Sequence, residues 1–119
     1  MNNKKGRILS GMRPTGRLHL GNYLGAFKGW VERQSQKENF FCIVDLHALT
    51  VPQDPEELRS RTRSHAAMLF AVGLDPSLCT IFVQSHVTAH SECCWILNCV
   101  TPVGWLERMV QYKDKAARQ

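Results

Sequence analysis

Ser10 to Gly25 reads S-G-M-R-P-T-G-R-L-H-L-G-N-Y-L-G, and the fold is read from this stretch outward. A short apolar run at Ile8 and Leu9 meets the turn-forming residues Gly11, Pro14, Thr15 and Gly16, and an apolar helical pattern starts near Leu20. The pattern predicts a strand, a loop and a helix N-terminus, with His19, Gly21 and Asn22 at the junction. A helix start exposes unpaired backbone N–H groups at the positive end of the helix dipole, which suits polyanions such as triphosphate. Glycine there lets a flat ring or a phosphate approach the backbone, because no Cβ intervenes. The spacing is neither G-x-G-x-x-G nor G-x-x-x-x-G-K-[ST], so the two commonest phosphate loops are excluded. What remains is H-x-G-N after P-T-G.

Outward from this junction, strands alternate with helices. Strand one covers Arg7 to Ser10, behind a polar tail, Met1 to Gly6, that is expected to fray. Leu20, Leu24, Phe27 and Val31 repeat at helical spacing with Lys28, Glu32 and Arg33 outward, and the polar run Gln34 to Asn39 ends the helix. Phe40 to Val44 is a continuous apolar run stopped by Asp45, the mark of a strand buried on both faces of a parallel sheet. Asp54-Pro55-Glu56-Glu57 starts a helix with Asp as N-cap, Pro at the first position and acids in the first turn. Leu58, Thr62, Ala66, Leu69 and Val72 form its inner face, and Gly73 ends it. Asp75-Pro76-Ser77 turns the chain into a third strand, Thr80 to Val83.

The order β-α-β-α-β implies right-handed crossovers, so the expected class is α/β: the N-terminal half of a doubly wound, Rossmann-like parallel sheet. Ser85 or Thr88 then caps a helix whose apolar positions include Ala89, Cys93, Ile96, Leu97 and Val100, and Pro102 stops it. A second helical segment carries Leu106, Met109 and Val110 on one side. Nothing returns to the sheet. Residues 1–87 are therefore expected to be half of a nucleotide-binding domain and residues 88–119 the start of a helical connecting insertion, in a chain cut from a longer protein.

Composition is ordinary for a globular chain of 119 residues, with 44% apolar and 21% charged content. A net charge of +5 permits an anionic partner, nucleotide or RNA, and serves solubility equally well. No apolar run approaches the roughly 20 residues of a membrane span. Met1-Asn2-Asn3-Lys4-Lys5 has no apolar signal core behind it, so a cytoplasmic protein with no membrane partner is expected. Cys42, Cys79, Cys93, Cys94 and Cys99 form no C-x-x-C pair and read as reduced, structural side chains, three of them within apolar strand or helix patterns. A metal site from His86, His90, Cys93 and Cys94 is the sharper alternative. Adjacent cysteines point about 100° apart on a helix, and structural zinc draws on two separate ligand pairs, so no metal site is assigned.

Ligands of open parallel sheets sit outside the carboxyl ends of the strands. Three polar groups fall there: Gly11 to Gly16 after strand one, Asp45-Leu46-His47 after strand two, and Gln84-Ser85-His86 after strand three. Each has a plainer reading. Asp45 could cap local backbone, His47 could pack in the core, His86 and His90 could be structural, and Lys113 and Lys115 could be a solvated face.

His19-Leu20-Gly21-Asn22 resembles the H-I-G-H signature of class I aminoacyl-tRNA synthetases, with Asn in the last position. P-[ST]-G-x-L-x-[IL]-G-N-Y is the form found in tryptophanyl-tRNA synthetases. F-C-I-V-D-L-H-A-L-T from Phe41, G-L-D-P-S from Gly73 and L-E-R-M-V-Q-Y-K-D-K from Leu106 resemble the same family in the same order. The resemblance implies a HUP-type Rossmann-like fold and an enzyme that activates tryptophan with ATP and Mg2+, then transfers it from tryptophanyl-adenylate to tRNA(Trp). It implies ATP-binding roles for Arg13, Pro14, Thr15, Gly21 and Asn22, and for Gln111 and Lys115. His19 and Asn22 become the catalytic pair, and His47 and Asp45 line the amino-acid pocket. It also implies a homodimer, in which an exposed Trp95 or Trp105 could mark an interface; packing in the core is the equal alternative for either tryptophan.

Two departures accompany these matches. Many relatives have Gln where this chain has Arg13, and the K-M-S-K-S signature is absent, as are the segments for indole and anticodon recognition. A partial active site with weak nucleotide binding and no aminoacylation is expected of the chain alone. The competing readings are a nucleotidyltransferase of the wider H-x-G-H superfamily and a non-catalytic RNA-binding or dimerising module.

Overall fold

A computed structural model describes residues 6–117, so most of the polar tail lies outside the described residues. The chain forms two compact units, Met1–Val87 and Thr88–Gln119.

The first unit is built on three parallel strands, β1 (Arg7–Met12), β2 (Glu38–Ile43) and β3 (Thr80–Val83), in the order β1-β2-β3. Leu9 pairs with Phe40, and Phe40 in turn with Thr80. This is the parallel α/β arrangement expected from the alternation of elements. Strand β1 runs past its predicted end, and the reason is Gly11. A Cβ there would lie 2.8 Å from Val44 Cγ1 and 3.2 Å from the Cys42 carbonyl oxygen. Gly11 is thus a strand residue that admits close packing of β2, and the loop begins only after Met12, whose carbonyl accepts the Val44 N–H at 3.0 Å.

Helix α1 (Leu20–Asn22) continues through a π-helical turn, Tyr23–Phe27, into α2 (Lys28–Arg33). The wider turn shifts the register that a 3.6-residue period predicts. Leu20 and Leu24, expected inside, are 69% and 58% exposed, whereas Ala26, Phe27, Trp30 and Val31 meet the core. Trp30 stacks on Phe41 of β2 with ring centroids 4.7 Å apart.

The polar run after α2 is more than a surface loop, since Gln34 and Asn39 are buried. Asn39 Nδ2 donates to the carbonyls of Gln34 and Lys37 at 3.0 and 2.8 Å, satisfying groups left over at the helix end. Gln34 donates to the Gly73 carbonyl at 3.1 Å and accepts the Asp75 N–H at 2.8 Å, tying α2 to the turn before β3.

After β2 comes the short α3 (Asp45–Ala48), then α4 (Pro55–Ala71). Asp54 caps α4 as expected, accepting the Glu57 N–H at 2.8 Å. Its far end closes in a Schellman motif: Leu74 N–H reaches the Leu69 carbonyl at 3.1 Å, Gly73 N–H reaches Phe70 at 3.0 Å, and Gly73 holds φ at +106°. Leu69 and Leu74 then join Phe27, Phe41, Ile43 and Cys79 in the core.

The second unit holds α5 (Thr88–Val100), α6 (Val103–Leu106) and α7 (Val110–Ala116). The single helix expected after Pro102 is two, because Met109 adopts an extended backbone (φ −82°, ψ 124°) and caps α7. Among the described residues Trp95, Ile96, Val100, Trp105 and Val110 are exposed on these helices. No helix among the described residues is long and apolar enough to cross a membrane.

Candidate functional site at the carboxyl ends of the strands

The loop leaving β1 is held by its own polar groups. Arg13 Nε donates to Thr15 Oγ1 at 3.0 Å, Thr15 N–H donates to the Arg13 carbonyl at 2.9 Å, and Pro14 is buried between them. Gly16 turns the chain with φ +72°, a conformation that L side chains rarely adopt. His19 is then the N-cap of α1. Its Nδ1 accepts the Gly21 N–H at 3.1 Å, and its own N–H donates to Asn22 Oδ1 at 3.0 Å, a reciprocal capping box. His19, Gly21 and Asn22 are therefore one hydrogen-bonded group. A Cβ on Gly21 would lie 2.9 Å from both Nδ1 and Cε1 of His19, so this glycine makes room for the histidine ring.

At the end of β2, Asp45 Oδ1 accepts two backbone N–H groups, from Leu46 and from Ser85, each at 3.0 Å. The local capping role is real, and it extends across the sheet to the end of β3. His47 is exposed on α3, so the alternative of a packed core histidine does not hold. His86 ends a 3-10 turn, Gln84–His86, and is exposed. A cleft of about 600 Å3 lies beside these strand ends, with Asp45, Ser85 and His86 on its polar side and Leu58, Ala66 and Val83 on its apolar side. Neither His19 nor His47 lines it. Gln111 and Lys115 share one face of α7 in the second unit, four residues apart and exposed.

All five cysteines are free thiols, but only Cys42 and Cys79 are buried; Cys93, Cys94 and Cys99 are exposed on α5. Burial, and secondarily Asp45, pushes the Cys42 thiol up to about 11. Among the described residues no three His, Cys, Asp or Glu side chains gather as a metal cluster would.

One group escaped the sequence reading. His65 is buried on the inner side of α4, where its Nδ1–H donates to the Arg61 carbonyl at 2.9 Å. Its Nε2 is buried with no partner among the described residues, and burial lowers its pKa against the raising effect of that hydrogen bond. The spacing Leu58, Thr62, His65, Leu69, Val72 was the available signal, because it is a helical stripe with the histidine inside it.

Known proteins share this fold. The family model of tRNA synthetases class I (W and Y) matches residues 1–119. A tryptophan–tRNA ligase of Synechocystis is 62% identical over 115 residues, 97% of this chain and 34% of the relative. One from Prochlorococcus marinus is 60% identical over 95% of this chain. The tryptophanyl-tRNA synthetase of Campylobacter jejuni has a TM-score of 0.86 at 41% identity, covering 98% of this chain and 36% of its own. The same enzyme complexed with ADP and tryptophan also gives 0.86, at 42% identity, over 95% of this chain and 35% of its own. The chain spans about a third of the length of the curated relatives it matches. With the family model matched over residues 1–119, this chain belongs to the tRNA synthetases class I (W and Y).

Proposed function

We propose that this chain is the N-terminal part of a tryptophan–tRNA ligase of the cytoplasm, acting as a homodimer on tryptophan, ATP and tRNA(Trp). The observation that carries this reading is the identity of 62% and 60% to tryptophan–tRNA ligases across nearly the whole chain. In the proposed reaction the tryptophan carboxylate attacks the α-phosphate of ATP, releasing pyrophosphate, and the adenylate then acylates tRNA. Positioning and charge stabilisation dominate such a step, which suits a site of glycines, helix ends and cations without a nucleophile.

His19 and Asn22 would hold the phosphates, supported by their shared capping box. Arg13, Pro14 and Thr15 would flank the nucleotide from a loop that the Arg13–Thr15 bond stiffens, with Gly21 against adenine. Gln111 and Lys115 would reach the phosphates from α7. His47 and Asp45 would serve the amino-acid side, His47 by its exposed ring and Asp45 by fixing the strand ends. Mg2+ would arrive with the phosphates of ATP, in keeping with its usual binding through few protein ligands. Residues 1–87 form half of the nucleotide-binding domain in this reading, and residues 88–119 open the connecting insertion.

The test exchanges this chain for the corresponding third of the Synechocystis enzyme and measures ATP–pyrophosphate exchange. Exchange should require tryptophan, and His19→Ala should reduce it about 100-fold, the usual scale for losing one preorganised donor. Exchange supported equally by tyrosine, or undiminished by His19→Ala, overturns the reading. Salt-dependent RNA binding by the chimera without ATP binding would favour the RNA-binding module instead.

A further inference from the structure

We infer that Gly21 and Asn22 are positioning residues for His19, locking its imidazole as the neutral Nε2–H form and presenting that single N–H as the site's fixed donor. Three observations carry this. The Gly21 backbone nitrogen can only donate, so the Nδ1 it reaches at 3.1 Å must be a lone pair, and the proton of the neutral ring sits on Nε2. Asn22 Oδ1 accepts the His19 N–H at 3.0 Å while the His19 backbone is extended (φ −134°, ψ 170°), which fixes where the ring starts. The ring occupies the space that a Gly21 Cβ would need, at 2.9 Å from Nδ1 and Cε1.

The choice of residue is informative as well. Ser, Thr, Asp and Asn are the favoured N-caps, and any of them would satisfy the Gly21 N–H more simply than imidazole does. A histidine there has a second nitrogen to offer. Nε2 makes no hydrogen bond among the described residues, and the His19 side chain is exposed. The acceptor it suits is an anionic oxygen; naming that oxygen a nucleotide phosphate rests on the function proposed above, whereas the tautomer and its locking do not.

Gly21→Ala separates this role from a plain contact between glycine and ligand. Alanine is the better helix former, so helix propensity predicts a gain in order in the first turn. Displacement of the ring predicts a loss of the cap. The experiment is a through-hydrogen-bond nitrogen–nitrogen correlation on the labelled 119-residue chain, with the five histidines assigned by substitution. A cross-peak between the Gly21 amide and His19 Nδ1 is expected; it should vanish in Gly21→Ala, weaken in Asn22→Ala and return in Asn22→Asp. An Nδ1–H form in the folded chain, or a cross-peak that survives Gly21→Ala, overturns the inference. A second arm measures Mg-ATP affinity in the chimera for Gly21→Ala, His19→Ala and the pair. If Gly21 acts through His19 as well as against adenine, adding Gly21→Ala to His19→Ala weakens Kd by a smaller factor than Gly21→Ala does alone; fully multiplicative losses overturn the positioning role. The first arm uses no nucleotide, so its outcome is independent of whether the chain binds ATP.

Discussion

Gly11→Ala tests the packing that carries β1 into the site loop. The added methyl would lie 2.8 Å from Val44 Cγ1 and 3.2 Å from the Cys42 carbonyl oxygen, both inside ordinary contact. The carbonyl belongs to the strand paired with β1 and cannot retreat without disturbing the ladder that joins Gly11 to Cys42. Val44 must therefore yield. It is β-branched, and a rotamer forced about 30° from its well costs roughly 0.5–1.5 kcal/mol. Overpacking of this kind costs about 1–3 kcal/mol in total. Against it stands roughly 0.4–1 kcal/mol gained by restricting the unfolded chain. The expected net loss is about 1–2 kcal/mol, equivalent to a Tm lower by roughly 4–8 °C for a chain of this size. Urea unfolding followed by far-UV circular dichroism reads the change as a lower midpoint at constant slope. Val44→Ala supplies the control, since it removes the obstructing methyls and should make Gly11→Ala nearly neutral in that background. A Gly11→Ala chain as stable as the parent, or a loss that Val44→Ala leaves untouched, would refute the reasoning.

Other consequences are equally open to measurement. His65 is neutral when folded and its pKa is lowered mainly by burial, so the unfolded chain takes up the proton first as pH falls below the usual histidine value. Stability is full above that value and declines with acidification until the folded ring also protonates; His65→Leu should flatten this slope and add about 1 kcal/mol at neutral pH by removing an unsatisfied buried nitrogen. An unchanged pH profile in His65→Leu would discard that account. Gln34→Ala leaves the Asp75 N–H and the Gly73 carbonyl without their partner, and thermal unfolding should register a loss of about 2–3 kcal/mol. A neutral outcome would mean that solvent replaces the amide. Maleimide at pH 8 should label Cys93, Cys94 and Cys99 quickly, and Cys42 and Cys79 only after denaturation, because the buried Cys42 thiol stays protonated up to about 11. Fast modification of Cys42 in the folded chain, read by mass spectrometry, would contradict the core assignment.

What the sequence determined by itself is local or periodic. The Asp54 cap and Pro55 start, the Gly73 end and the Asp75 turn all depend on bonds or patterns spanning a few residues, and each is where the residues say it should be, whereas β2 runs from Glu38 to Ile43, starting two residues before the expected Phe40 and ending one before the expected Val44. The His19–Asn22 junction was legible for the same reason, since a capping box closes within one helical turn. Tertiary structure decided whatever depends on a distant partner. Gln34 bonds to residues about forty positions away, and Asp45 reaches Ser85 over a similar span, so neither the buried amide nor the tie between strand ends shows in a window of neighbours. The π turn moved Leu20 and Leu24 outward because the inner face of that helix is set by where Phe41 lies beneath Trp30, and a 3.6-residue period carries no record of it. Gly11 read as a turn residue for the same cause. Its glycine is demanded by Val44, just past the end of β2, and steric demand is a property of the packed pair that neither stretch of sequence contains alone.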